Sequence, residues 1–168
     1  MMKNKYLYNI VLSAVIAALY AALTYAFAPI SYGPVQFRVS EVLTILPCFT
    51  PVSIIGLTVG CLLANILSFN AIDMVIGTSA TLIAAVFTYL LRKMKFLKIP
   101  FFSLLSPVIF NGLIVGLEIA VFFVKSIDSF PINAAWVALG ELVVCFGLGI
   151  PFYLLLDKNR KIFGNKQF

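Results

Sequence analysis

The sequence predicts an all-α integral membrane protein: a single domain, residues 1–168, built as a bundle of six transmembrane helices with both termini cytoplasmic. Three observations predict it. Of 168 residues, 62% are hydrophobic and 11% charged, whereas a soluble domain is about half apolar and a quarter charged. Apolar runs near 20 residues long, enough to cross a hydrocarbon core of about 30 Å, recur along the chain. The basic residues collect at the ends of these runs, as the positive-inside rule requires.

The first run covers residues 6–28. Lys3 and Lys5 precede it, and Ala26-Phe27-Ala28 resembles a signal-peptidase site. A signal h-region is only about 7–15 residues, so the run reads as a first helix. Pro29, Gly33 and Pro34 break it. The second segment, 36–49, is short and closed by Pro47 and Pro51. The third and fourth cover 52–69 and 72–91, and a basic stretch, Arg92 to Lys98, follows. The fifth covers 100–124 and the sixth 132–156, ahead of a tail carrying Lys158, Arg160, Lys161 and Lys166. Charge parity decides the short second segment. Lys3, Lys5 and the 92–98 loop belong on the same side, so an even number of crossings separates them, and segment two must cross.

Several classes are excluded or disfavoured. There is no histidine, which removes the usual general base and the commonest metal ligand. Cys48, Cys61 and Cys145 form no CxxC pair and lie in apolar stretches, where thiols act as small hydrophobes. No catalytic residue, metal or cofactor is expected. The net charge of +6 follows from topology, so no nucleic-acid partner is expected.

Small residues four apart let helices approach closely in lipid. Gly56, Gly60 and Ala64 fit internal packing, as do Gly112, Gly116 and Ala120. Ala14, Ala18 and Ala22 fit either internal packing or a contact with another subunit.

Ionisable groups inside a membrane are costly and mark ligand or ion paths. Here they are Arg38, Glu41, Asp73, Glu118 and Glu141, with Gln36, Asn65 and Asn111 beside them. The topology puts all of them in the outer half or at the midplane. Glu118, for instance, lies seven residues before Lys125, roughly 10 Å from that end. An outward-facing acidic cup closed below by apolar packing suits a small ligand that is cationic or rich in N–H donors. Phe37, Phe69, Phe110, Phe122 and Trp136 are candidates to stack on a planar ring. Structural alternatives stand beside each site residue. Arg38 and Glu41 have the spacing of an i,i+3 pair, Asp73 that of an N-cap, and Asn65 and Asn111 that of interhelical hydrogen bonds. Glu118 and Glu141 are deep and lack a sequence-local cation, so they point to function.

The stretch Gly33-Pro34-Val35-Gln36-Phe37-Arg38-Val39-Ser40-Glu41, followed by Leu46-Pro47, resembles the signature of the QueT family. Gly60 to Asn65, Asp73 to Gly77 and Thr81-Leu82 resemble its second block. The resemblance implies a bundle of the S-component type, the substrate-binding subunit of an energy-coupling factor (ECF) transporter. It implies a ligand among queuosine precursors, chiefly preQ1, a 7-aminomethyl-7-deazaguanine. It also implies a transmembrane T subunit and two cytoplasmic ATPases as partners. Ala14, Ala18 and Ala22 match the motif by which such subunits dock, and the loop after the first helix would cover the substrate. Other readings are an S-component for a different vitamin, a proton-coupled transporter acting alone, and an enzyme using Glu118 and Glu141 as an acid–base pair.

Overall fold

In the computed structural model, residues 5–33, 35–67 and 71–159 are described. Lys3, Pro34, Phe69, Arg160, Lys161 and Lys166 lie outside them. Four helical rods are long and apolar enough to cross a membrane: Lys5–Ala26, Ala71–Leu91, Phe101–Phe123 and Ile127–Lys158. Two shorter apolar helices, Val39–Cys48 and Val52–Ile66, lie between the first two.

Helix α1 (Lys5–Ala26) leads through one turn, α2 (Ala28–Ser31), into an extended strap. A 3₁₀ segment, Val39–Cys48, follows, then α3 (Val52–Leu67), α4 (Ala71–Leu91) and α5 (Phe101–Glu118). Helix α5 continues as a wide π-helical stretch, Ile119–Phe123. The last rod comprises α6 (Phe130–Leu142), a second π-helical stretch, Val143–Leu148, and α7 (Gly149–Lys158).

The second segment is therefore not an α-helix. Its rise of about 2.0 Å per residue lets ten residues reach roughly 20 Å. Thr44 to Thr50 are all buried, and the segment touches α1, α3, α4, α5, α7 and the second π-helical stretch. It is the axis of the bundle. Leu43, Ile45, Leu46 and Phe49 join Leu57, Cys61 and Tyr153 in the main core.

Close backbone contacts fix the helix order. Helix α1 runs parallel to α3. A Cβ on Gly56 would lie 2.8 Å from the Ser13 carbonyl, and one on Gly60 2.7 Å from the Tyr20 Cβ. A Cβ on Gly116 would lie 2.5 Å from the Ala134 Cα, joining α5 to α6. Thr88 and Ser103 each donate to the other's carbonyl, at 3.1 and 2.9 Å, clamping α4 to α5. Ala14, Ala18 and Ala22 are exposed, while Ile16, Ala17, Tyr20 and Thr24 form the buried face of α1. The alanine ladder thus faces away from the bundle.

Successive rods alternate in direction. The Lys95 ammonium lies 6.0 Å from the Tyr153 ring, so the basic 92–98 loop and α7 share one end. The strap, the α3–α4 connection and Lys125 lie at the other.

Candidate functional site

Polar side chains gather toward the strap end, around the first turn of the 3₁₀ segment. The strap begins at Tyr32, whose hydroxyl donates to the Ala64 carbonyl of α3 at 2.8 Å. It reaches α6 at Gly140, where a Cβ would overlap the Val35 carbonyl and lie 3.1 Å from that of Gln36. Gln36 has a φ of 49°, costly for a non-glycine residue and typical of a tightly constrained functional turn. Its carbonyl accepts from the Arg38 amide at 2.8 Å, and that turn drives Arg38 inward.

Arg38 is 4% exposed. Its Nη2 donates to Asp73 Oδ2 at 2.7 Å, and its face lies 5.8 Å from the Tyr32 ring centroid. Glu41 pairs elsewhere: Tyr20 of α1 donates its hydroxyl to Glu41 Oε1. Four residues along α1, Thr24 shares a 2.7 Å hydrogen bond with Ser40. The sequence expectation of an Arg38–Glu41 pair is corrected. A 3₁₀ start turns the two side chains to different walls, and each meets a partner from another helix. Asp73 is also not an N-cap: it lies within the first turn of α4, which begins at Ala71. A Cβ on Gly77 would overlap the Asp73 carboxylate, so that glycine makes the room the ion pair occupies.

The asparagines bridge helices as the alternative reading expects. Asn65 Nδ2 donates to the Asp73 carbonyl at 2.8 Å. Asn111 Nδ2 of α5 donates to Glu141 Oε1 of α6 at 2.7 Å. The thiols fill gaps between these groups. Thr81 Oγ1 lies 3.2 Å from Cys61 Sγ, and Cys145 Sγ lies 3.6 Å from Glu141 Oε2.

Glu118 and Glu141 share a local feature. Each sits at or next to the start of a π-helical stretch, Ile119–Phe123 or Val143–Leu148. Such wide turns recur at functional sites. Glu118 lies within electrostatic range of Asp73 and Arg38, and Glu141 within range of Glu41 and Arg38. One face of the bundle therefore carries four carboxylates and one guanidinium.

Several of these buried polar atoms have no hydrogen-bond partner among the described residues. They are Glu41 Oε2, Asn111 Oδ1, both carboxylate oxygens of Glu118, and Arg38 Nε. Buried polar atoms are nearly always paired, so this set marks a place where a ligand supplies what the protein lacks.

A sequence profile described as QueT transporter matches residues 10–158. The chain belongs to the QueT transporter family. One relative, the "Queuosine precursor transporter QueT" of Lactococcus lactis subsp. cremoris (strain MG1363), is 45% identical over 84 residues. That segment is 49% of this chain and 50% of the relative, so the match spans about half of each. No solved structure matches. As a QueT-family member with several long apolar helices, the chain is a multi-pass cell-membrane protein. The QueT family is one of transporters, not enzymes, which removes the acid–base reading of Glu118 and Glu141.

Among the residues the sequence singles out, Arg38, Glu41, Asn65, Asp73, Asn111, Glu118 and Glu141 come together in this QueT chain. Gln36 contributes through its backbone turn, its side chain being half-exposed. The expected ring-stacking residues fall differently. Phe122 and Trp136 are 48% and 45% exposed on the outer surface, and Phe110 packs on Phe87 at 4.5 Å. The aromatic groups at the site are Tyr20 and Tyr32, which sequence reasoning missed. Tyr20 and Thr24, four apart on an otherwise apolar helix, were the available signal.

Proposed function

We propose that this chain is the substrate-binding subunit of an ECF-type importer and captures a queuosine precursor, preQ1 or a related 7-deazapurine. The observation that carries the reading is the set of unpartnered buried atoms: four acceptors and one donor. A ligand that completes it must bring several N–H donors and one acceptor. An aminomethyl-deazaguanine has that balance. Its ring N–H edge and its cationic amine match Glu41, Asn111, Glu118 and Glu141, and its carbonyl matches Arg38. The printed name of the Lactococcus relative supports the same ligand class.

In this reading the six rods all cross the membrane, with the basic ends cytoplasmic and the polar cluster opening outward. The Tyr32–Arg38 strap covers the ligand. The exposed face of Ala14, Ala18 and Ala22 docks on a T subunit, which two cytoplasmic ATPases drive.

Calorimetry on the purified chain tests the ligand. Binding of preQ1 is expected to weaken roughly ten- to hundredfold in Glu118→Gln and in Glu141→Gln, the value of a hydrogen bond to a charged group, about 1.5–3 kcal/mol. Both variants should keep the wild-type helical content. Absence of binding to preQ1, queuine and guanine by the wild-type chain overturns the reading.

A further inference from the structure

Glu118 stands apart from the other acidic residues of the cluster. Asp73 holds Arg38, Glu41 holds Tyr20 and Glu141 holds Asn111. Glu118 is 2% exposed, and neither of its oxygens has a partner among the described residues. It also lines a cavity of about 460 Å³ whose other walls are apolar. Those walls include Ile76 of α4, Leu113 and Leu117 of α5, Phe122 of the wide turn after it, and Phe130 of α6. Leu113, Leu117 and Phe122 are themselves exposed on the outside of the bundle.

The carboxylate thus stands at a junction. On one side is the Arg38–Asp73 pair, within its electrostatic range. On the other is the groove, whose Ile76 is one helical turn along α4 from Asp73. A buried carboxylate without a partner demands a cation or donors. An apolar groove demands hydrocarbon. We propose that Glu118 and this groove form a subsite for an ammonium group bearing a hydrocarbon substituent: the carboxylate takes the cation and the groove takes the substituent. The inference rests on the reading of the polar cluster as a ligand site and specifies the substituents that ligand can carry.

The room is sufficient, because an apolar cavity of roughly 150 Å³ already holds benzene. A lipid amine is a poorer occupant. Glu118 lies seven residues before Lys125, roughly 10 Å along the helix, below the level of lipid headgroups.

Photolabelling of the full chain in phosphatidylcholine nanodiscs tests the subsite, with a diazirine-bearing benzylammonium ion as probe and mass spectrometry of the labelled peptides. Label is expected on α5 and is expected to fall at least fivefold in Glu118→Gln. An equal fall is expected in Leu117→Trp, which fills the groove and leaves the carboxylate in place, and with the uncharged benzyl alcohol of the same shape. Label indifferent to these three changes, or confined to other helices, overturns the proposal. So does its suppression when phosphatidylethanolamine replaces phosphatidylcholine, because a lipid amine then holds the site. Excess preQ1 is expected to displace the probe. Label that depends on Glu118 yet survives preQ1 keeps the subsite and overturns the choice of preQ1 as the ligand.

Discussion

Tyr20→Phe keeps the ring and deletes one hydroxyl, yet that hydroxyl is the donor to Glu41 Oε1. Loss of a buried charged group's partner costs about 1–3 kcal/mol or more. The variant is therefore expected to unfold at a lower temperature than the wild type when ligand-free in detergent. Arg38→Met is expected to cost more, about 3–5 kcal/mol, because it strands the Asp73 carboxylate in the interior. Adding Asp73→Asn should restore part of that loss, and a double-mutant cycle on unfolding midpoints measures the coupling. The charged residues themselves were legible in the sequence, since ionisable side chains are rare in apolar runs. Their partners were not. Spacing suggests Arg38 with Glu41, but the contacts that decide the pairing join residues 35 and 21 positions apart. Nothing local encodes these.

At the scale of elements, the glycines separate packing from mere presence. A Cβ on Gly60 would press on the Tyr20 Cβ at 2.7 Å and the Ala17 carbonyl at 2.9 Å, whereas one on Gly147 would meet nothing within 4 Å. Gly60→Ala is expected to destabilise by about 1–3 kcal/mol through overpacking. Gly147→Ala is expected to be neutral, or stabilising by up to about 1 kcal/mol. Thermal unfolding of the pair in the same detergent checks both. Element positions were largely legible: expected boundaries at 72–91 and 100–124 stand beside Ala71–Leu91 and Phe101–Phe123. Element type was not legible for the second segment. Length and charge parity required a helical crossing, and hydropathy alone does not distinguish a tight 3₁₀ helix from an α-helix. Pro47 and the crowding of neighbouring helices around Thr44 to Thr50 are tertiary causes. The π-helical stretches after Glu118 and Glu141 are equally invisible, because Ile-Ala-Val-Phe-Phe and Val-Val-Cys-Phe-Gly-Leu read as ordinary apolar helix.

At the scale of the whole molecule, the two faces of α1 divide two tasks. Tyr20 and Thr24 reach inward to Glu41 and Ser40, while Ala14, Ala18 and Ala22 look outward. Ala18→Leu is therefore expected to leave preQ1 affinity within about threefold of wild type, a difference under about 0.7 kcal/mol, and to abolish uptake by cells that supply the T and ATPase subunits. Parallel calorimetry and uptake assays check it, and normal uptake would show that the ladder does not dock. The asymmetry between a basic end and a polar end was legible from charge placement. The groove beside Glu118 was not, because it needs Ile76, Leu117 and Phe130 from three helices at once. The wide turns also constrain the length of the chain. An α-helix advances about 100° per residue, so deleting one residue from Ile119–Phe123 would leave Glu118 in place and swing everything beyond it by roughly a quarter turn. The same deletion in Val143–Leu148 would carry Tyr153 off Phe49, its 5.2 Å neighbour. Close relatives of this chain should therefore tolerate substitutions in these two stretches far better than single-residue gaps.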